Sequence, residues 1–218
     1  MAERPVFIPK KGYVEQCLVE FDWHPGFAIS QKKKNVMSLH QSAKDSLNLD
    51  TMLEISTKSE STLGKSLSAF NLTFDNGFFV STVEAIYQGS KKFIGGGPFT
   101  DIYKYDSLRA KKDIRLKTSG DLVSFSYNDD EWPLSPLKGF YSWVYLKALS
   151  QNEMIFQQLN KFNGFTDIEF NPKKSINCQA FCIAASIVLN EKGIFPEVLD
   201  DRDYFLEEIG LLDRERLL

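Results

Sequence analysis

The segment Ser81–Phe93, STVEAIYQGSKKF, carries the side chains of this chain that are best suited to chemistry. In a helix, Glu84, Gln88 and Lys91 would stand at positions i, i+4 and i+7 and would form one polar stripe. A carboxylate, an amide and an amine on one rigid element can carry a proton, hold a hydroxyl group and attack an electrophile. The spacing therefore predicts a helix over residues 81–93 that can serve as a reactive site.

The same residues also have an ordinary structural interpretation. Polar stripes are common on the solvated faces of helices, and Ser81 and Glu84 have the spacing of a capping box. Val83 and Ile86 would seat such a helix on a core, and the run Gly95–Pro98 would end it. The spacing by itself favours this structural role over a catalytic one.

A second polar block covers residues 165–180, FTDIEFNPKKSINCQA. Asp167 and Glu169 alternate with apolar neighbours, which predicts a strand that holds both acids on one face. Asn177 is placed to cap the apolar helix that follows. The block therefore predicts two more carboxylates on a regular element.

The remaining hydrophobic pattern predicts more helix than strand, and the fold class is α+β, mainly α. Strict alternation predicts strands at 13–23 and 121–127, and residues 51–57 and 66–74 are expected to be strands or extended chain. Helical spacing and caps predict helices at 30–47, 81–93, from Ser107, at 138–149, 150–162, 177–191 and from 200 or 201 onward. His40 lies on the apolar face of the helix at 30–47, which favours a packed histidine over a ligand.

Composition predicts one compact domain. The chain has 218 residues, of which 43% are hydrophobic, and this is enough for one core. We expect a body at 1–196 and an acidic amphipathic helix at 197–218 packed on it. With no run of about 18 apolar residues and no pattern typical of a signal peptide, the chain is predicted to be cytoplasmic and to have no membrane partner.

Cysteine and histidine usage argues against a disulfide framework and against a metal site. Cys17, Cys178 and Cys182 leave one thiol unpaired in any scheme, and the last two have helical spacing. His24 and His40 are not spaced with these cysteines as metal ligands would be. We therefore expect no metal and no cofactor.

The formal charge of −3 is unevenly distributed, since residues 197–218 alone carry −5. Residues 104–117 carry +4, from six basic and two acidic residues. Such a segment can meet a phosphate backbone, although a solvated basic helix face is the commoner structure. The predicted nucleic-acid contacts are Arg109, Lys111, Lys112 and Arg115.

Several segments together resemble the NADAR family. Thr82–Lys91 is similar to its central Thr/Ser-x-Glu-x-x-x-Gln-x-x-Lys helix, which lines a pocket for ribose-phosphate-type ligands, and 165–180 is similar to its later acidic motif. Arg4–Pro9 and Ser68–Phe74 resemble, more narrowly, the NADAR antitoxins paired with DarT-type toxins, which ADP-ribosylate guanine in DNA. The resemblance covers most of residues 1–195 and implies a compact, mainly helical single domain.

The resemblance implies hydrolysis of the N-glycosidic bond between ADP-ribose and guanine in DNA, as an antitoxin to a DNA ADP-ribosyltransferase toxin. Glu84 matches the central acid of the family and would be a general base or an electrostatic stabiliser. Lys91 matches its lysine. It would either stay charged and stabilise the leaving group or, with its pKa lowered by burial, attack the anomeric carbon and form a Schiff base.

Other residues are expected to contact the substrate. Gln88 would orient a hydroxyl group, Glu169 aligns with the second acid of the family, and Gly95–Gly97 would cradle phosphate through backbone N–H groups. Tyr87 or Trp143 would stack on a base, although most such aromatic residues are core residues. The full set of expected substrate contacts is Asn71, Tyr87, Gln88, Gly96, Gly97, Thr100, Asp101, Trp143, Asp167, Glu169, Lys174 and Asn177.

Two other functions fit the same sequence. One is an N-glycosidase on small ribosylated metabolites, as in other branches of the family. Against it, many NADAR members carry an Asp-x-x-Trp-Gly insertion that this chain replaces with Lys-Lys-Ser-Ile. The other is a non-catalytic protein that binds ADP-ribose or neutralises the toxin, with the acidic C-terminal helix against a basic partner. Direct toxin contact is left open.

Overall fold

The structure is a computed structural model that describes residues 1–136, 138–173 and 177–215. The predicted class is confirmed, since 44% of the chain is helical and 21% is in strands. Within the described residues, no helix is both long enough and apolar enough to cross a bilayer. The helices are α1 (Ile29–Leu47), α2 (Thr62–Ser66), α3 (Val83–Gly89), α4 (Ser107–Lys111), α5 (Arg115–Thr118), α6 (Gly139–Ser150), α7 (Glu153–Phe156), α8 (Gln179–Glu191) and α9 (Arg202–Leu212).

A five-stranded sheet in the order β10-β2-β1-β9-β3 forms the centre of the molecule. A two-stranded sheet, β4-β5, and a three-stranded sheet, β6-β7-β8, lie apart from it. The strands are β1 (Ala2–Lys10), β2 (Tyr13–Phe21), β3 (Met52–Glu54), β4 (Thr73–Asp75), β5 (Val80–Thr82), β6 (Lys91–Phe93), β7 (Leu122–Tyr127), β8 (Asp130–Trp132), β9 (Gly164–Thr166) and β10 (Asp213–Glu215).

Alternation in β1 and β2 divides the core into two layers, because successive side chains point to opposite faces of a sheet. Phe7 and Val14 join the main cluster, which is built on α6 and α8. Val6 and Cys17 join a second cluster with Leu39 of α1. The central sheet is therefore enclosed between α1 and α8, and the strand predicted at 13–23 is confirmed as far as Phe21.

The helices predicted at 30–47, 138–149 and 177–191 are confirmed within a residue or two. The last helix, α9, buries Phe205 and Ile209 in the main cluster as expected. Tyr204 of the same helix is exposed. The segment 66–74 is extended only at its end, where β4 begins.

The helix predicted over 81–93 is wrong in both its start and its end. It spans Val83–Gly89 only, and its N-cap is Thr82, whose Oγ1 accepts a hydrogen bond from the backbone N–H of Ala85. Ser81 instead donates to the carbonyl oxygen of Tyr103. The capping box is therefore absent, and Lys91 begins β6, where it pairs with β7.

Two further elements predicted from caps or alternation differ. Asp167 and Glu169 lie in a turn after β9 rather than in a strand, and the N–H of Phe170 donates to the carbonyl oxygen of Asp167 at 3.1 Å. The helix predicted over 150–162 is only the short α7 followed by a 3₁₀ turn at Leu159–Lys161. Ser150 does not cap it, because its hydroxyl group donates to the carbonyl oxygen of Lys147.

Candidate functional site

A pocket of about 410 Å³ opens between α3, α4, the loop after β3, the turn after β9 and the start of α8. It gathers polar side chains from segments that are far apart in sequence. The predicted site residues that line it are Glu84, Tyr87, Gln88, Lys91, Lys111, Asp167, Glu169 and Asn177. Residues that we did not predict also line it, among them Ser56, Lys58, Phe70, Tyr141, Phe170 and Gln179.

The helix α3 forms one wall and presents Glu84 and Gln88. Glu84 is only 7% exposed, and its Oε1 accepts a hydrogen bond from Nε2 of Gln88 at 2.9 Å. Glu84 lies in the first turn of the helix, where the helix dipole favours a negative charge. The buried carboxylate therefore has a fixed orientation, which contradicts the interpretation of a solvated helix face.

Lys91 enters the pocket from β6, just beyond the end of α3. Its Nζ lies 4.7 Å from the centre of the Tyr87 ring, a cation–π contact. Burial lowers the pKa of Lys91 to about 8, the nearby charge of Glu84 opposes this shift, and the charge of Lys111 adds to it. An amine with this pKa is neutral in part at neutral pH and can act as a nucleophile.

Gly97 lets the chain pass close to the strand that carries Lys91. A Cβ atom there would stand 2.3 Å from the carbonyl oxygen of Lys91, and the φ of +92° suits glycine. Gly96, with a φ of +153°, pairs with Phe93 in the same turn. These glycines pack against β6 and do not line the pocket, so the predicted phosphate cradle is absent there.

Asp167 stands on the opposite wall and is 4% exposed. Its Oδ2 accepts a hydrogen bond from Nε2 of Gln179 at 2.9 Å, and its Oδ1 accepts one from the N–H of Glu169 at 3.1 Å. Burial, followed by the charge of Glu54, raises the pKa of Asp167 to about 7, and the hydrogen bond from Gln179 opposes this. Near neutral pH the group can therefore hold a proton or release one.

A hydrogen-bond chain joins the two walls of the pocket. Gln179 donates to Asp167, and its Oε1 accepts from the backbone N–H of Ala69. The carbonyl oxygen of Ala69 accepts from the N–H of Glu84 at 3.0 Å. The spacing of the two buried carboxyl groups is thus set by a single side chain of α8 and one loop residue.

Glu169 and Asn177 complete the second wall. The Glu169 side chain is 43% exposed and pairs with Lys32 at 3.2 Å, so it lies at the mouth. Asn177 does not cap α8, whose N-cap is Cys178. Among the described residues, Oδ1 of Asn177 is buried without a hydrogen-bond partner, which leaves an acceptor for a ligand hydroxyl group.

Comparison with known protein families gives a match over nearly the whole chain. A sequence model described as the DarT1-associated NADAR antitoxin matches residues 2–215. The chain belongs to this family. The match extends through α9, further than the resemblance noted over residues 1–195. A search of curated proteins found no match.

Two of the substrate contacts expected for this NADAR chain, Asn71 and Trp143, lie outside the pocket. The amide of Asn71 donates to the carbonyl oxygen of Lys65 at 2.7 Å and shapes a turn. Trp143 is packed in an aromatic cluster, 4.9 Å from Trp132 between ring centres, and its Nε1 donates to Leu199. Lys174 lies outside the described residues.

Thr100, Asp101 and Arg115 also fall outside the pocket of this NADAR chain. Arg115 pairs with Asp101 and with Asp113, each at 2.8 Å, and these pairs lower the pKa of both carboxyl groups. Thr100 is exposed at the start of the adjoining 3₁₀ turn. We call Asp101, Asp113 and Arg115 the Arg115 cluster. Both acidic groups of the cluster pair with its single guanidinium group, which argues against Arg115 as a nucleic-acid contact.

The other basic residues of this segment remain available. Lys111 reaches the pocket and lies 5.3 Å from the centre of the Phe70 ring. Arg109 lies 3.7 Å from the centre of the Tyr105 ring, and Lys112 is exposed. The basic helix α4 therefore connects the pocket with the surface.

Sequence reasoning missed Ser56, Lys58, Phe70 and Gln179. Within the segment Ser68–Phe74, Asn71 was predicted as a substrate contact and its neighbour Phe70 was not. Which of the two side chains faces the pocket depends on the turn. Lys58 and Gln179 had no pattern of their own in the sequence. Among the described residues, no group of three histidine, cysteine or acidic side chains is placed to hold a metal ion.

Proposed function

We propose that this NADAR chain removes ADP-ribose from guanine bases in DNA and in this way acts as an antitoxin to a DarT1-type toxin. The observation that carries the proposal is that Glu84 and Lys91 face one pocket, with Asp167 on the opposite wall. The volume of about 410 Å³ lies in the range of small-molecule sites. Membership of an antitoxin family supports the biological part of the proposal.

Glu84 is the stabiliser of positive charge in this proposal. Cleavage of an N-glycosidic bond builds positive charge at the anomeric carbon of the ribose. A carboxylate held in a fixed orientation lowers the energy of such a transition state without reorganisation. The hydrogen bond from Gln88 supplies this orientation, and its amide can also hold a ribose hydroxyl group.

Lys91 is the nucleophile in this proposal. With a pKa of about 8, roughly a tenth of the amine is neutral at pH 7. The neutral amine bonds to the anomeric carbon while the glycosidic electron pair leaves with the guanine nitrogen, which takes up a proton. Opening of the ribose ring gives a Schiff base, and water then releases ADP-ribose and restores the amine.

Lys58 and Lys111 are the proposed partners of the diphosphate. They line the pocket and rest against neutral groups, Lys58 on the hydroxyl group of Thr57 and Lys111 on the Phe70 ring. Ammonium groups with neutral neighbours keep their charge available for phosphate. They take the role that the glycine loop was expected to play.

The DNA strand is proposed to run along α4. Lys111 lies at the pocket, and Arg109 and Lys112 extend the positive charge outward from it. A modified base would enter the pocket while the neighbouring phosphates meet these side chains. Binding through such contacts weakens as salt rises.

The test is incubation of the purified chain with an oligonucleotide that carries ADP-ribosylated guanine, followed by mass spectrometry. We expect unmodified oligonucleotide and free ADP-ribose, and no release by Glu84→Ala. Release from small ribosylated metabolites alone would identify a metabolite N-glycosidase instead. Binding without release, together with protection against the toxin by Glu84→Ala, would identify a non-catalytic neutraliser.

A further inference from the structure

Behind the pocket wall lies a carboxylate that the proposed reaction does not use. Glu54, the last residue of β3, is 2% exposed. It accepts hydrogen bonds from Oγ of Ser56 at 2.6 Å, Oγ1 of Thr166 at 2.6 Å and the N–H of Ile168 at 2.9 Å. Two of these donors flank Asp167 in the sequence, so Glu54 is fixed directly to the turn that carries Asp167.

The direction of these hydrogen bonds indicates the charge of Glu54. Three donors on one carboxyl group stabilise its ionised form and oppose the rise in pKa that burial causes. The hydroxyl group of Thr166 also lies 2.8 Å from Nε2 of His40. Since Thr166 gives its hydrogen to Glu54, its oxygen accepts from the N–H of His40.

His40 does not cancel the charge of Glu54. Burial lowers the pKa of His40 to about 4, so its imidazole is neutral at physiological pH. Among the described residues, the chain from His40 through Thr166 to Glu54 therefore ends on a negative charge that no cationic side chain pairs with. This charge acts on Asp167, which has weaker support from two hydrogen bonds.

Two other charged groups face Asp167, and they have opposite effects. Arg4 of β1 faces both Asp167 and Glu169 and opposes the repulsion, whereas Glu169, which pairs with Lys32 at the mouth, adds to it. From α6 and α8, the groups that face Asp167 are uncharged, because burial raises their pKa values. They are Tyr141, Tyr145 and Cys178.

We propose that Glu54 is a positioning residue that keeps part of the Asp167 population protonated at neutral pH, so that Asp167 can act as the general acid for the leaving base. The second half of this statement rests on the proposed glycohydrolase function. As the N-glycosidic bond breaks, its electron pair moves to the guanine nitrogen and takes the proton of Asp167. A water molecule that enters the pocket returns a proton to the carboxylate.

The test follows the ¹³Cγ resonance of Asp167 through a pH titration by NMR, with the signal assigned by its loss in Asp167→Asn. In the wild type we expect a midpoint near 7. Glu54→Gln removes the charge and keeps the shape, and it should lower this midpoint by about one pH unit or more. A midpoint that stays within about 0.3 units of the wild-type value would overturn the proposal.

Two further variants serve this test, one as a control and one as a substitute for Glu54→Gln. Glu169→Gln removes a nearby charge at the exposed mouth, and we expect it to shift the midpoint much less because solvent screens that charge. An equal shift in both variants would also overturn the proposal. If Glu54→Gln does not fold, Ser56→Ala weakens one hydrogen bond to Glu54, moves the shared proton toward it and should lower the midpoint in the same direction.

Activity supplies the second measurement. The proposed reaction needs protonated Asp167 and neutral Lys91, and the pKa of Lys91 is the higher of the two. On the modified oligonucleotide, Glu54→Gln should therefore lower the maximum of the kcat/KM profile and move its acid limb to lower pH together with the NMR midpoint. A shifted NMR midpoint with an unmoved limb would exclude Asp167 as the acid. The NMR titration needs no turnover, so failure of the proposed reaction and failure of the Glu54 assignment give different results.

Discussion

The pocket and the Arg115 cluster use the same kinds of side chain in opposite ways. In the cluster, Arg115 meets Asp101 and Asp113 at 2.8 Å, and each charge faces its opposite. In the pocket, Lys91 rests on an aromatic ring and Glu84 on an amide. In the cluster, the charged groups pair with one another, whereas in the pocket the charged groups contact neutral ones.

The pKa values record the same difference. Hydrogen bonds from Arg115 lower the pKa of Asp101, while burial and the charge of Glu54 raise the pKa of Asp167 to about 7. A carboxyl group paired at the surface is stable and inert, whereas a buried one that lies close to another buried carboxyl group is poised to exchange a proton. Both regions are rich in polar residues in the sequence, so only their surroundings separate a site from a structural clamp.

The largest effect on turnover is expected from a carboxylate-to-amide substitution in the pocket, and the same substitution in the Arg115 cluster is its control. Glu84→Gln removes the carboxylate that faces the reacting carbon, and we expect turnover on the modified oligonucleotide to fall by about 10³-fold. Asp101→Asn makes the same chemical change in the Arg115 cluster and should leave turnover within about twofold. Single-turnover kinetics of both variants measures the contrast, and similar losses in the two would refute it.

Lys91→Met should reduce turnover by about 10²-fold or more, because it removes the proposed nucleophile. In the wild type the neutral amine is required, and the fraction of Lys91 in this form rises with pH through about 8. Borohydride should trap an ADP-ribose adduct that mass spectrometry locates at Lys91. An active enzyme from which no adduct can be trapped would favour a charged lysine and direct attack by water.

The two carboxyl groups should have opposite effects on stability. The pKa of Asp167 is raised in the folded state, so its contribution is present below about 3.8 and is lost as pH rises through about 7. Asp167→Asn should therefore raise the free energy of unfolding at pH 8 by about 1–3 kcal/mol relative to the wild type. Asp101, whose pKa is lowered, contributes above 3.8 and loses this contribution as pH falls.

Urea unfolding of the wild type, Asp167→Asn and Asp101→Asn between pH 3 and pH 8 measures these slopes. The two variants should change the pH dependence of stability in opposite directions. A slope in Asp167→Asn that matches the wild type would mean that Asp167 ionises normally in the folded protein.

Lys111→Met is expected to have the smallest effect on the reaction. Loss of one phosphate contact should raise KM by about 3–10-fold with little change in kcat, and should weaken the salt dependence of binding. Lys117→Met is the matched control, because Lys117 is exposed on α5, away from the pocket. A rise in KM that is equal in both variants would assign the effect to general surface charge.

Long, strongly periodic elements could be predicted from the sequence, and short ones could not. The alternation of β2 and the helical spacing of α1, α6 and α8 each involve many residues, so the pattern outweighs local exceptions. The starts of α3 and α7 were wrong because both rested on four-residue capping patterns. In each case the serine hydroxyl group found a carbonyl oxygen instead.

The chain by itself determined the identities that matter at α3: an acid, an amide and an amine in an order that belongs to the DarT1-associated NADAR family. Tertiary structure decided what they can do. Lys91 reaches the pocket from a strand. The carboxyl group of Asp167, which lies 83 positions after Glu84 in the sequence, lines the same pocket. Burial and proximity set charge and reactivity, and these depend on which segments pack together, which no short pattern encodes.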